Sequence, residues 1–162
     1  MVELKNRAEI LKAVKQDPSV IDKTFEEIFR RNVEKTGIGD SSQMEEYQTF
    51  AKDSEIILEG IKHDFKYFKS AHNSLKEDRQ FVLDALKIDT QVLNLCPNNI
   101  KKDREIFLEA VKINGTAIRW AHKNLKADRE IVLKALKENI LAFKYISKEL
   151  QEDKEIMKAA NR

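Results

Sequence analysis

The chain of 162 residues carries 30 Lys and Arg against 28 Asp and Glu, a formal net charge of +2, with 4 Gly, 2 Pro, 3 His and 1 Cys. That length buries a core without staples, and the shortfall against about 11 Gly and about 8 Pro for an average composition disfavours turn-rich sandwiches and barrels. Near-neutrality excludes a generic nucleic-acid coat, a single cysteine and few histidines exclude a disulfide or structural zinc, and no apolar run reaches the roughly 18 residues of a membrane span.

The N-terminus lacks the apolar core of a signal peptide, so a soluble protein of the cytoplasm or another reducing compartment is expected. Residues 6–14 can be laid on residues 103–111, so an imperfect copy of a later repeat opens the chain. A longer helix is expected over 20–35, with Phe25, Ile28, Phe29 and Val33 at helical spacing. The Gly-Ile-Gly-Asp-Ser-Ser run at 37–42 is the one convincing loop, and 43–50 leads into a regular array. The expected organisation is an irregular helical cap over 1–50 and regular repeats over 51–162, in a single continuous domain.

The array is set by Asp53, Asp78, Asp103, Asp128 and Asp153, an unbroken spacing of 25. Counting from each aspartate, apolar residues recur at offsets 3, 4, 5, 7 and 8, a broad helical face rather than the alternation of a strand. This predicts a helix A of about ten to twelve residues. Offset 11 holds Asp64, Asp89, Asn114 and Asn139, residue types that tolerate the left-handed conformation closing a helix. A second apolar set at offsets 15, 18 and 22 predicts a shorter helix B. Lys158 replaces leucine at offset 5 in the last copy, as suits a terminal cap. One pair cannot bury both apolar faces, so stacked pairs are expected to form an all-α solenoid.

At these columns the sequence resembles the domain-of-unknown-function 4116 repeats, whose pattern is matched by residues 125–139 and again by 103–121, including Asn114-Gly115 and Trp120-Ala121. The resemblance covers about residues 50–160. It implies a fold defined by packing positions and brings no catalytic residues. It also implies occurrence in proteins of protists, large DNA viruses and intracellular bacteria, and hence a host-interaction or effector role by association.

Candidate chemistry is sparse. Cys96 shares its column with Ala71, Ala121 and Ile146, which reads as a buried small residue. His72 and His122 share offset 19 two repeats apart, too far for a common metal when neighbouring helices pack about 8–10 Å apart. Asp53 with Glu55, and their repeats, read as first-turn acids offsetting the helix dipole. Lys62, Lys87 and Lys112 each follow an acid three residues earlier and read as a self-neutralised ladder, with Lys137 in the same column. No catalytic residue, cofactor or metal is expected, and the protein reads as a non-enzyme.

Charge is segregated by helix type. The four A segments hold fourteen acids against eight bases, whereas 65–76, 90–102, 115–127 and 140–148 contain ten cations and no acid. Lys76, Lys101, Lys102 and Lys126 are expected to balance the next helix's acids. The remaining cations, with two flanking aromatics, give the candidate partner-binding face: Lys66, Lys69, Arg119, Trp120, Lys123, Lys144, Tyr145 and Lys148. The expected function is a repeat scaffold that binds another protein, and the alternative is nucleic-acid or anionic-lipid binding by the same face.

Overall fold

Each aspartate of the 25-residue column starts a helix in the computed structural model, which describes residues 7–24, 26 and 49–161. Asp103 has extended backbone, and its carboxylate accepts the amides of Glu105 and Ile106, both at 3.1 Å. Asp53, Asp128 and Asp153 cap in the same way, and Asp78 accepts from Phe81. The A helices that follow are Ser54–Ile61, Arg79–Ile88, Arg104–Ile113, Arg129–Glu138 and Lys154–Ala160. Apart from residues 20–24, which are helical, and Glu26, the expected 20–35 helix lies outside the described residues, as do the 37–42 loop and residues 43–48. Helices and no strands are found among the described residues, so the protein is all-α.

Two compact units divide the chain, Met1–Lys76 and Glu77–Arg162. In the second, offsets 3, 4, 7 and 8 form the core: Ile106, Phe107, Ala110 and Val111 are fully buried, as are Ile131, Val132 and Ala135. Burying each large side chain stabilises by about 1.5–3 kcal/mol, more than the roughly 1 kcal/mol of a cap. The core therefore supplies most of the stability and the caps fix where helices begin. The leucine column at offset 5 sits at the edge, with Leu133 37% exposed.

Helix ends depart from expectation. Asp64, Asp89, Asn114 and Asn139 are extended, at φ near −150°, and not left-handed. Each turns its side chain forward to cap a new element, accepting the amide two residues on. At Asp89, Asn114 and Asn139 the chain thus closes one helix and opens another at a single residue.

Helix B is likewise two elements. A 3₁₀ helix comes first, at Phe65–Ser70, Thr90–Asn94, Gly115–Trp120 and Ile140–Tyr145; a short α-helix follows, at Asn73–Glu77, Asn98–Lys101, Lys123–Lys126 and Lys148–Gln151. Offset 19 forms the joint. His122 and Ser147 cap the short helices with their side chains, His72 Nδ1 accepts from the Ser74 amide at 3.2 Å, and Pro97 takes the position without a side-chain bond. Backbone bonds cross between repeats here, from His122 to the Lys101 carbonyl at 2.9 Å and from Ser147 to the Lys126 carbonyl at 2.9 Å. Gly115 allows the closest approach: an added Cβ would collide with the Ala135 carbonyl oxygen of the next A helix.

A second cross-repeat joint runs along the A helices. Arg79 reaches Asp103 at 2.8 Å and Glu105 at 2.6 Å. Arg104 reaches Asp128 at 2.8 Å and also Glu130, and Arg129 reaches Asp153 at 2.7 Å and also Glu155. In the first unit, helix Arg7–Gln16 takes the place of a preceding A helix. Its Ile10 and Val14 are buried with Ile21, Ala51 and Ile56, and Arg7 holds Asp53 and Glu55. The alignment of residues 6–14 with 103–111 thus has a structural counterpart, although the partner aspartate lies 46 residues on instead of 24.

Replacing Asp128 by alanine should lower stability to urea by about 1 kcal/mol. Asparagine caps as well as aspartate but cannot hold Arg104 by charge, and should lose less than half as much. Equal losses in the two variants would make the ion pair the main contribution.

Candidate functional site

The 3₁₀ helices turn once every three residues, and that period positions the candidate residues. In Gly115–Trp120, Gly115, Ala117 and Ile118 are buried, Trp120 is half-buried, and Thr116 and Arg119 form the outward row. In Ile140–Tyr145 the same row is Leu141 and Lys144, with Ala142 and Tyr145 behind it. Because the two segments pack side by side in one register, residues 25 apart become neighbours.

The result is a cluster of cations and aromatics in the second unit. The Arg119 guanidinium lies 5.3 Å from the Trp120 ring centroid and 5.2 Å from that of Tyr145. Lys144 Nζ lies 4.9 Å from the same Tyr145 centroid. Each contact is worth about 0.5–1 kcal/mol at an exposed site, enough to orient the cations. Lys123 and Lys148 repeat the pattern at offset 20, each starting a short helix. None of Arg119, Lys123, Lys144 or Lys148 has a carboxylate partner among the described residues. Lys66 and Lys69 belong to the first unit, where Lys66 pairs with Asp64 at 3.6 Å.

Many of the other charges are engaged. Three of the four offset-9 lysines pair as expected, Lys62 with Glu59, Lys112 with Glu109, and Lys87 with Asp84 at 2.9 Å. Lys76 and Lys101 do not reach forward to the next helix's acids. They reach back, donating to the carbonyls of Lys69 at 2.7 Å and Asn94 at 2.9 Å, and so close the 3₁₀ helices. Gln151 does the same to the Phe143 carbonyl at 3.1 Å. Burial lowers Lys76 and Lys126 below the usual lysine range.

The carboxylates on the A helices respond to their partners. The hydrogen bond from Lys134, then that from Arg104, pulls Glu130 down to about 2. Asp153 is drawn down to about 2 by Arg129 and by the Ile156 amide. For Asp128 burial pushes upward, but Arg104 and the capped amides outweigh it and the net shift is downward.

Sequence reasoning missed the arginines at offset 1, although Asp and Glu lie 24 and 26 residues beyond each of Arg79, Arg104 and Arg129 as a visible signal. It excluded a metal shared by His72 and His122 but assigned them no role, and both serve the start of a short helix. No group of three His, Cys, Asp or Glu is placed to hold a metal among the described residues, and no described helix is long and apolar enough to cross a membrane.

The family model described as "Domain of unknown function (DUF4116)" matches residues 53–101, 78–126 and 128–162. No curated protein and no solved structure matches the chain. The chain belongs to the DUF4116 family.

Cys96 is 3% exposed, and burial pushes its thiol up to about 12. At neutral pH it should therefore react with a thiol-specific disulfide reagent only as fast as the protein opens. Labelling at the rate of a free thiol in the native state would contradict this placement.

Proposed function

We propose that this DUF4116 protein is a non-enzymatic repeat scaffold that binds an acidic surface of another protein through cations of two repeats, Arg119 and Lys144 on the 3₁₀ helices and Lys123 and Lys148 at the starts of the short α-helices. One observation carries the reading: the A-helix acids are largely matched by arginine and lysine, whereas Arg119, Lys123, Lys144 and Lys148 have no carboxylate partner among the described residues. Their charge is left for something outside the fold. Arg119 and Lys144 are held on aromatic rings, so less side-chain freedom is lost on binding. A lone buried thiol fits work in the cytoplasm or another reducing compartment.

The geometry favours protein over single-stranded nucleic acid. Stacking of bases needs open aromatic faces, and here Trp120 and Tyr145 carry Arg119 and Lys144 over their rings. Four phosphate-sized cation positions in two adjacent repeats also make a short track for a duplex or an anionic membrane.

Pull-down with the intact protein and with a variant combining Arg119→Glu, Lys123→Glu and Lys144→Glu tests the reading. Loss of the partner by the variant, with an unchanged helical circular-dichroism spectrum, is expected. Retention of every partner would remove the cations from the interface. In a salt titration with single-stranded and duplex DNA and RNA, affinity should be no better than about 10⁻⁴ M at physiological salt; tighter, steeply salt-dependent binding would favour nucleic acid.

A further inference from the structure

The last repeat ends in an open apolar groove of about 420 Å³, walled by Ile140, Leu141 and Phe143 of the 3₁₀ helix and by Met157 and Ala160 of the last A helix, with Lys144 on its rim. One repeat earlier the corresponding positions are Gly115, Thr116, Ile118, Val132 and Ala135. There, Ile118, Val132 and Ala135 are fully buried, because the 3₁₀ helix Ile140–Tyr145 packs on both the preceding 3₁₀ helix and Arg129–Glu138. The groove is thus the same seat one step on, and the internal interface shows that it accepts a short segment with bulky apolar side chains.

Two residues distinguish this seat from a plain copy. Leu141 stands in the outward column that is Lys66, Gln91 and Thr116 in the other repeats, and it is 57% exposed. Met157 stands where Ile57, Val82, Phe107 and Val132 are fully or almost fully buried, and it is 45% exposed. A leucine in a solvent-facing column and a flexible methionine suit an adaptable binding surface more than a fixed packing layer. Lys144 joins the groove to the cationic cluster, since the same ammonium lies over Tyr145 beside Arg119.

We infer that this groove and the adjoining cations form one docking site for an acidic amphipathic segment of another protein, whose bulky apolar side chains enter between Leu141 and Met157 while its carboxylates meet Lys144 and Arg119. The inference rests on the protein-binding reading above and adds the partner's chemistry. Charge selects the occupant: among the described residues the one charged side chain lining the groove is a cation, so an apolar anchor flanked by acids is favoured over a basic segment.

Fluorescence anisotropy at physiological salt, with a labelled amphipathic peptide bearing leucines on one helical face and glutamates on the other, tests this. The protein should bind it, and should bind poorly a version with the leucines replaced by serine. A Leu141→Ser, Met157→Ser double variant alters two exposed positions and should weaken binding about tenfold or more; Arg119→Glu with Lys123→Glu should weaken it as well. If the charge variant loses affinity and the serine variant does not, the groove is overturned and the cationic face stands. Loss in the serine variant alone upholds the groove and overturns the cationic reading. No binding of the leucine and glutamate peptide overturns the inference outright. So does a dimer in sedimentation equilibrium that Leu141→Ser dissolves, which would assign the groove to a second copy.

Discussion

An ionised carboxylate offers about four acceptor positions, and the aspartates Asp53, Asp103, Asp128 and Asp153 divide them between two tasks. Asp128 gives one oxygen to the amides of Glu130 and Ile131 and the other to Arg104 of the preceding helix. The same side chain starts a helix and ties it to its neighbour. Arg129, the next residue, repeats the reach toward Asp153. An Asp-Arg dipeptide is therefore an acceptor toward the repeat before and a donor toward the repeat after. These pairs are exposed, and surface pairs contribute little free energy; the buried columns hold the fold, and the joints decide the register in which it stacks.

That arrangement has a consequence for the surface. Acids on the A helices are matched by arginines one helix back and by lysines one turn on. The 3₁₀ helices have no acids of their own, and their C-terminal carbonyls are closed by the buried stems of Lys76 and Lys101. Cations without a paired acid on their own element lie on the outward 3₁₀ row and at the starts of the short helices. In the last two repeats these positions hold Arg119, Lys123, Lys144 and Lys148, beside an apolar groove. The docking role we propose rests on what the joints leave over.

The A helices were legible from the sequence because one period, one capping residue and one apolar face agree. The second half of the repeat was not. Offsets 15 and 18 are three apart, which fits a 3₁₀ turn as well as one face of an α-helix, so the two elements merge into one. The evidence for two lay in a pair of capping columns, Asp64, Asp89, Asn114 and Asn139 at offset 11, and His72, His122 and Ser147 at offset 19. The offset-11 residues, expected to stop a helix in the left-handed conformation, and the offset-19 histidines, given no role once a shared metal was excluded, both mark new beginnings. The cations of the site could be read from charge segregation alone. Their grouping with Trp120 and Tyr145 needed the 3₁₀ period, and the groove needed the exposure of Leu141 and Met157.

The account stands or falls on the carboxylates of the joints. Carbon-detected NMR of the side-chain carboxyls through an acid titration follows them one by one. Asp153 and Glu130 should each titrate at about 2, well below the ordinary values of about 3.9 and about 4.3. A folded-state pKa below the unfolded one means that the stabilisation is complete above the ordinary carboxylate range and is lost as pH falls toward about 2. Titration of both groups near 4 would show that the arginines do not hold them in solution, and would remove the joint on which the repeat register is built.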